Sequence, residues 1–148
     1  MARLGLIAGN GVFPLEVALA ARERGIEVFA VAHIGETDRA LETLCARVTW
    51  IGAGELQKMI DALKAASLAE AAMAGGVSRA RLKDSFKPDS RALAMLARVG
   101  RLSDDAVLRE LAAEIESEGI RVIDPVPAMI PGALAGAALQ AGPEPTAA

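Results

Sequence analysis

The chain has 148 residues, a formal net charge of −3, 53 % hydrophobic residues and only 3 % aromatic residues. This length fits one domain with a core of Ala, Leu, Val and Ile side chains. The acidic balance argues against general nucleic-acid binding, and the single cysteine, Cys45, excludes an internal disulfide. We expect Cys45 to pack in a short helix as a small hydrophobic residue.

The N-terminal stretch carries the first structural signal, an apolar run that ends in a Gly-Asn-Gly turn. It predicts a buried strand, a tight turn and a helix that opens at Pro14, because proline is favoured at the first helical position. The N–H groups and the positive dipole end of that helix would face the turn and attract a phosphate. The predicted phosphate-binding residues are Gly9, Asn10, Gly11 and Val12. The alternative is a turn that needs glycine only for its backbone conformation.

Strand and helix patterns alternate along the rest of the chain. They predict helices over 14–24, 39–46, 90–99 and 104–118, a further helix on an apolar stripe from Leu56 to Leu63, and strands over 27–32, 48–51, 69–74 and 121–123. The expected inward-facing residues are Leu15, Ala18, Leu19, Leu93, Leu96, Val99, Val107, Leu108, Leu111 and Ile115. Continuous apolar strands alternating with helices predict an α/β fold, a Rossmann-like open parallel sheet of about five strands with helices on both faces.

Glycine pairs follow three of the predicted strands. Carboxyl ends of parallel strands share one edge, where open α/β sheets bind ligands. We therefore add Gly52, Gly54 and Gly75 to the predicted phosphate-binding residues. His33, the sole histidine, follows the second strand at the same edge. Its role is either ligand contact or a structural, solvent-facing one.

A basic segment stands out in this acidic chain. Residues 79–101 contain seven basic and two acidic residues. Such a segment suits an anionic ligand or surface, and a solvated loop face is the alternative. Arg79 comes nearest to the end of the fourth strand, and its planar guanidinium suits phosphate.

Asp104 and Asp105 form an acidic pair after Ser103, at the start of the last predicted helix. Adjacent carboxylates there could hold a Mg²⁺ ion that bridges phosphate oxygens. The competing interpretation is that acids in a first helical turn complement the helix dipole.

The first turn imitates a dinucleotide fingerprint but has Pro14 where the third glycine is required. No acidic residue ends the second strand to hold a ribose, so we expect no NAD. A P-loop is excluded because no Gly-Lys-Ser/Thr follows the turn.

Four stretches, in this order, resemble one known family. They are LGLIAGNGVFPL from Leu4, GAGELQKMI from Gly52, MAGGVSR from Met73 and SDDAVLRELAAEIESEGI from Ser103. Together they are similar to the N-terminal domain of the LpxI-type UDP-2,3-diacylglucosamine pyrophosphatases of the lipid A pathway. The chain departs from that family at Ser103, where glycine is usual, and at Ala80, where proline is usual.

The resemblance implies a Mg²⁺-dependent hydrolase that cleaves UDP-2,3-diacylglucosamine to UMP and lipid X. It implies a Rossmann-like domain over residues 1–125 and a linker-like tail over 126–148. The C-terminal catalytic domain of the family is absent from this chain, so the catalytic residues are unknown and the chain alone is expected to be inactive. The expected location is cytoplasmic, with peripheral contact to the inner membrane, and a homo-oligomer is left open. The alternative is a non-catalytic Rossmann-like binding or dimerisation module.

Overall fold

Five parallel strands form the centre of the fold. The structure is a computed structural model and describes residues 2–76, 85–100 and 103–126. The sheet has the strand order β3-β2-β1-β4-β5, and every neighbouring pair is parallel. The strands are β1 (Arg3–Ala8), β2 (Glu27–His33), β3 (Arg47–Ile51), β4 (Glu70–Ala74) and β5 (Arg121–Ile123). The predicted α/β fold and its parallel sheet are confirmed.

Helices cover both faces of this sheet. In the part of the chain that the structure describes they are α1 (Phe13–Glu23), α2 (Leu56–Ala65), α3 (Ser90–Ala97) and α4 (Asp104–Glu116), with a 3-10 helix over Arg39–Thr43. Successive strand residues point to opposite faces, so Leu6 joins the hydrophobic layer under α1 while Ile7 joins the layer under α2, α3 and α4. The apolar stripe of α2 is buried along its whole length, as predicted.

Three leucines that we expected in the core are largely exposed. Leu93 is 56 % exposed, Leu108 49 % and Leu19 44 %. In α3 the buried residues are Ala92 and Met95 instead. Consecutive helical residues diverge by about 100°, so a helix that seats Ala92 turns Leu93 away from the sheet. The sequence pattern favoured the larger side chain, whereas Ala92 and Met95 form the buried face of the helix.

The four helices predicted over 14–24, 39–46, 90–99 and 104–118 all end one to three residues earlier than expected. The predicted helix over 39–46 is a 3-10 helix that ends at Thr43, and α4 ends at Glu116 rather than at residue 118. Cys45 therefore lies just after a helix and not within one, although it packs against the α1 layer as a hydrophobic residue would. Burial raises the pKa of its thiol to about 12, so the thiol stays protonated and unreactive at neutral pH.

Ion pairs connect the outer surfaces of α2, α3 and α4. Arg91 contacts Glu114 and Glu118 at 2.8 Å each, and Arg98 also pairs with Glu114. Lys64 of α2 reaches Glu118 at 3.0 Å. Two arginines of the basic segment are thus paired within the domain, which leaves less positive charge for an external anionic surface.

This network predicts a loss of stability in acid. Hydrogen bonds from Arg91 and then Arg98 lower the pKa of Glu114, and those from Arg91 and Lys64 lower the pKa of Glu118. A folded-state pKa below the ordinary value of about 4.3 stabilises the fold above that pH, and this stabilisation is lost as the pH falls through the lowered pKa. We expect the urea midpoint to fall between about pH 5 and pH 3.

The Glu114→Gln variant removes one titrating group and should show a shallower fall of its urea midpoint with pH. The matched control is Glu23→Gln, since Glu23 is exposed on α1 and makes no ion pair with any described residue. Its midpoint should follow the wild-type pH dependence. Parallel curves for all three proteins would contradict a contribution from the network.

Candidate ligand site at the carboxyl edge of the sheet

The loops that follow the five strands meet at the carboxyl edge of the sheet. They comprise residues 9–12, 34–37, 52–55, 75–76 and 124–126. This confirms that the glycine loops share one edge, as the parallel topology predicted. The loops differ, however, in what their backbone groups contact, and that difference decides which of them is open to a ligand.

The glycines after β1 and β4 allow two backbone segments to cross in contact. Gly9 N donates to the Ala74 carbonyl and Asn10 N to the Gly76 carbonyl, both at 2.8 Å. A Cβ at Gly9 would lie 2.2 Å from the Gly76 carbonyl oxygen, and one at Gly75 would lie 2.6 Å from the Asn10 carbonyl oxygen. The first N–H groups of the predicted phosphate site are thus hydrogen-bonded within the protein.

The next two residues, Gly11 and Val12, are open to a ligand. Gly11 has a φ of +86°, and a Cβ there would meet no atom within 4 Å. Val12 is the N-cap residue of α1 and is 65 % exposed. Within the described residues, neither the Gly11 N–H nor the Val12 N–H has a hydrogen-bond acceptor. These free donors at the positive end of an eleven-residue helix form the local geometry that binds phosphate groups.

The side chain of Asn10 holds three of the loops together. Its Nδ2 donates to Glu36 Oε1 at 2.9 Å, and its Oδ1 accepts from Gly76 N at 3.2 Å. Both ends of the amide are therefore used for positioning. We infer that Asn10 fixes the turn rather than contacting the ligand through its side chain, while its predicted place in the phosphate site stays a prediction.

His33 is oriented by the backbone of β1. Its Nδ1 lies 2.9 Å from the Ala8 carbonyl oxygen, which also accepts from the buried Thr37 hydroxyl at 2.9 Å. Since a carbonyl oxygen only accepts hydrogen bonds, Nδ1 is the donor in this contact. His33 is half-buried at the carboxyl edge. No sequence pattern pointed to Thr37, because its partners are 29 and four residues away.

The loop after β3 is already occupied by protein groups. Glu55 Oε1 accepts from Gly52 N, so this N–H is not available to a ligand. Gly54 has a φ of +97°, and a Cβ there would lie 2.7 Å from the Lys87 carbonyl oxygen. Gly54 is therefore required for a backbone crossing. The roles predicted for Gly52 and Gly54 in phosphate binding stay predictions, but the geometry favours Gly11 and Val12.

The side-chain carboxylate of Asp89 occupies the N-terminus of α2, where an external anion would otherwise bind. Asp89 Oδ2 accepts from Gln57 N and Asp89 Oδ1 accepts from Ala92 N, both at 2.8 Å. One side chain thus caps two helices, α2 and α3. An aspartate directly before a helix is a common N-cap residue, although our sequence analysis did not single out Asp89. Its second contact spans 32 residues and follows only from the tertiary structure.

We expect Asp89→Ala to lower the free energy of unfolding by about 2 kcal/mol, because each lost cap costs about 1 kcal/mol. The matched control is Ser103→Ala, which removes a single cap, the 3.2 Å bond from Ala106 N to Ser103 Oγ. That variant should lose about half as much. Urea denaturation at pH 7 measures both. Equal losses in the two variants would show that Asp89 does not cap both helices.

The remaining predicted residues lie on α4 or outside the described residues. Arg79 falls outside them. Asp104 and Asp105 are exposed in the first turn of α4. Asp105 lines an open groove of about 570 Å³ between α4 and the end of β5, together with Asp124. Among residues 2–76, 85–100 and 103–126, no three His, Cys, Asp or Glu side chains are grouped as a metal site would require.

The fold and its carboxyl edge define an open α/β domain of the Rossmann-like class, with two N–H groups before its first helix that have no acceptor among the described residues. The family model described as LpxI N-terminal domain matches residues 3–130. The chain belongs to the family of LpxI N-terminal domains.

A named relative extends this comparison. The UDP-2,3-diacylglucosamine pyrophosphatase LpxI of Caulobacter vibrioides is 35 % identical over 126 residues, which cover 82 % of this chain and 44 % of the relative. The chain thus spans less than half the length of that relative. Among the described residues, every helix is too short or too polar to cross a membrane.

Two solved structures share parts of this arrangement. The crystal structure of gox2253 has a TM-score of 0.48 and 19 % identity, and the match covers 82 % of this chain and 33 % of that one. The biotin carboxylase domain of a thermophilic 2-oxoglutarate carboxylase, bound to ADP, has a TM-score of 0.41 and 14 % identity, over 78 % of this chain and 33 % of that one. Similarity at this level says nothing about function.

Proposed function

We propose that this chain is the phosphate-binding domain of an enzyme that hydrolyses the pyrophosphate of UDP-2,3-diacylglucosamine. The observation that carries the proposal is the pair of free N–H groups of Gly11 and Val12 at the start of α1. Membership of the LpxI N-terminal domain family and the name of the Caulobacter relative supply the substrate.

The chemistry of the substrate fits this turn. A pyrophosphate diester carries two negative charges and presents oxygens that accept hydrogen bonds. The Gly11 and Val12 N–H groups donate to one phosphate, and the dipole of α1 favours its charge. Preorganised donors of this kind also stabilise charge that develops on the oxygens during hydrolysis. We assign no residue of this chain as the general base or as the group that positions the attacking water.

Mg²⁺ dependence and the roles of Asp104, Asp105 and Arg79 remain part of the proposal. Mg²⁺ binds through one or two carboxylates together with phosphate oxygens and waters. Asp104 and Asp105 are consecutive in a helix and diverge by about 100°, so the described residues do not by themselves form a site for the ion. We therefore assign no step to it. A cytoplasmic location, peripheral membrane contact and self-association likewise stay predictions from the resemblance.

The second candidate function is a non-catalytic Rossmann-like binding module. The observation that favours it is the lack, within the described residues, of a group of three side chains that could hold a metal. An assay for the release of UMP from UDP-2,3-diacylglucosamine distinguishes the two candidate functions. We expect no release by this chain alone, and release when it is mixed with the part of the Caulobacter relative that it does not match.

Calorimetry tests the phosphate-binding part of the proposal separately from hydrolysis. We expect UDP to bind at least tenfold more tightly than uridine, because a charge-assisted hydrogen bond contributes about 1.5–3 kcal/mol. Equal affinity for UDP and uridine would remove the phosphate-binding claim. A well-folded mixture without UMP release, together with tight binding of UDP, favours the module.

A further inference from the structure

A partly open apolar cavity lies on the face of the sheet that packs against α2, α3 and α4. It has a volume of about 140 Å³ and is lined by residues of these helices and of the carboxyl edge of the sheet. Its apolar walls are formed by Met59, Phe86, Met95, Leu96, Val107 and Leu111. At the carboxyl edge its lining includes His33 and Glu55, and Phe86 there is 42 % exposed. The cavity therefore reaches the surface at the edge that carries the free N–H groups.

The same edge also exposes apolar side chains. Val12 and Ile34 are each 65 % exposed, and both lie on loops that follow strands. Phosphate alone gains nothing from such neighbours. A ligand that joins a phosphate to a hydrocarbon chain would use the donors and the apolar side chains together.

We propose that this cavity seats the end of an acyl chain of the phosphate-bearing ligand. The inference rests on the proposed function, in which the substrate carries two acyl chains. A dry apolar cavity of about 150 Å³ accommodates benzene, so this one has room for about the last five or six carbons of a chain. The groove between α4 and β5 is larger, but Asp105, Arg109 and Asp124 line it, and their charges disfavour a hydrocarbon.

Linear n-alkyl phosphates test the inference on the intact chain. We expect the affinity to rise about fourfold for each methylene that enters the cavity and to level off once about five or six carbons fill it, beyond those that join the phosphate to the cavity. Methionine methyl resonances report the position of the chain. Met59 and Met95 line the cavity and should shift with alkyl length, whereas Met73 lines the other groove and should not.

Two variants of α3 test whether the affinity for alkyl phosphates depends on the cavity or only on the general hydrophobicity of the surface. Ala92 lines the cavity, and Ala92→Leu fills part of it, so the affinity should level off two to three carbons earlier. Ala97 is exposed on the same helix, and Ala97→Leu should bind like the wild type. If Ala92→Leu does not fold, Leu96→Ala provides the opposite test, since a larger cavity should accept a longer chain.

The outcomes distinguish this inference from the proposed function. If ethyl phosphate binds but longer chains add no affinity, the cavity inference is wrong and the phosphate site stands. If shifts appear at Met73 instead, the chain occupies the other groove and the inference is also wrong. Neutral n-alkanols complete the test. Binding that depends on their length and is weakened by Ala92→Leu, without any phosphate binding, supports the cavity and contradicts the proposed function.

Discussion

Replacing Gly75 with alanine is expected to lower the free energy of unfolding by about 3 kcal/mol or more. Gly75 has a φ of +94°, and this conformation alone costs an alanine about 1–2 kcal/mol. The added Cβ would also lie 2.6 Å from the Asn10 carbonyl oxygen. This oxygen is a backbone atom beside the Asn10–Gly76 bridge, so it can move only if the contact between the two loops opens.

Gly119→Ala is the matched control for this prediction. Gly119 has a φ of +85°, but a Cβ there would meet no atom within 4 Å. It therefore isolates the conformational cost, about 1–2 kcal/mol. Urea denaturation of both variants gives the difference directly. Equal losses would show that the crossing of the two loops tolerates a side chain, contrary to the packing described above.

Replacing Gly11 with alanine is expected to weaken UDP binding about tenfold or more with only a modest loss of stability. The φ of Gly11 is +86° and the space around it is open, so alanine costs the fold about as much as it does at Gly119. The new methyl group, however, occupies the space where a phosphate oxygen would approach the free N–H groups. Loss of one charge-assisted hydrogen bond corresponds to about 1.5–3 kcal/mol, or at least tenfold in affinity.

The control for this second prediction is again Gly119→Ala, because the two glycines share their backbone conformation. Gly119 lies between α4 and β5, at the opposite end of the sheet from the proposed site. We expect the two variants to lose similar stability and only Gly11→Ala to lose affinity, as measured by calorimetry with UDP. Unchanged affinity in Gly11→Ala would place the phosphate elsewhere.

The sheet could be predicted from the sequence because buried parallel strands consist of continuous apolar runs that end in glycine turns. β2 shows the continuous apolar run most clearly, and its predicted span, residues 27–32, is one residue shorter than the observed Glu27–His33. The orientation of α3 could not be predicted in the same way. Its periodicity allowed Leu93 to face the core, whereas Ala92 and Met95 are the residues that pack into the layer shared with α2.

The candidate site shows a similar division. From the sequence we predicted that the glycine loops share one edge of the sheet and that their backbone approaches a ligand. The structure shows that Gly9, Gly54 and Gly75 approach other backbone segments of the protein. Gly11 alone among these four opens onto free space. Residue type cannot separate these cases, because a glycine is required equally beside a phosphate and beside a neighbouring strand.

The α2 terminus could not be interpreted from local sequence either. Two glycines before an amphipathic helix suggest an anion site. Asp89, 32 residues from Gln57, already provides the negative charge there. A long-range cap of this kind cannot be predicted from the spacing of the two residues in the sequence.

The central claim is that phosphate binds at the turn before α1, and the amide spectrum of the ¹⁵N-labelled chain tests it most directly. As UDP is added to millimolar concentration, we predict that the largest shift changes occur at Gly11 and Val12. The Gly52 amide, already bonded to Glu55, and the Gln57 amide, already bonded to Asp89, should change less. Changes that are absent from Gly11 and Val12, or that are larger at Gly52 and Gln57, would contradict the proposed site.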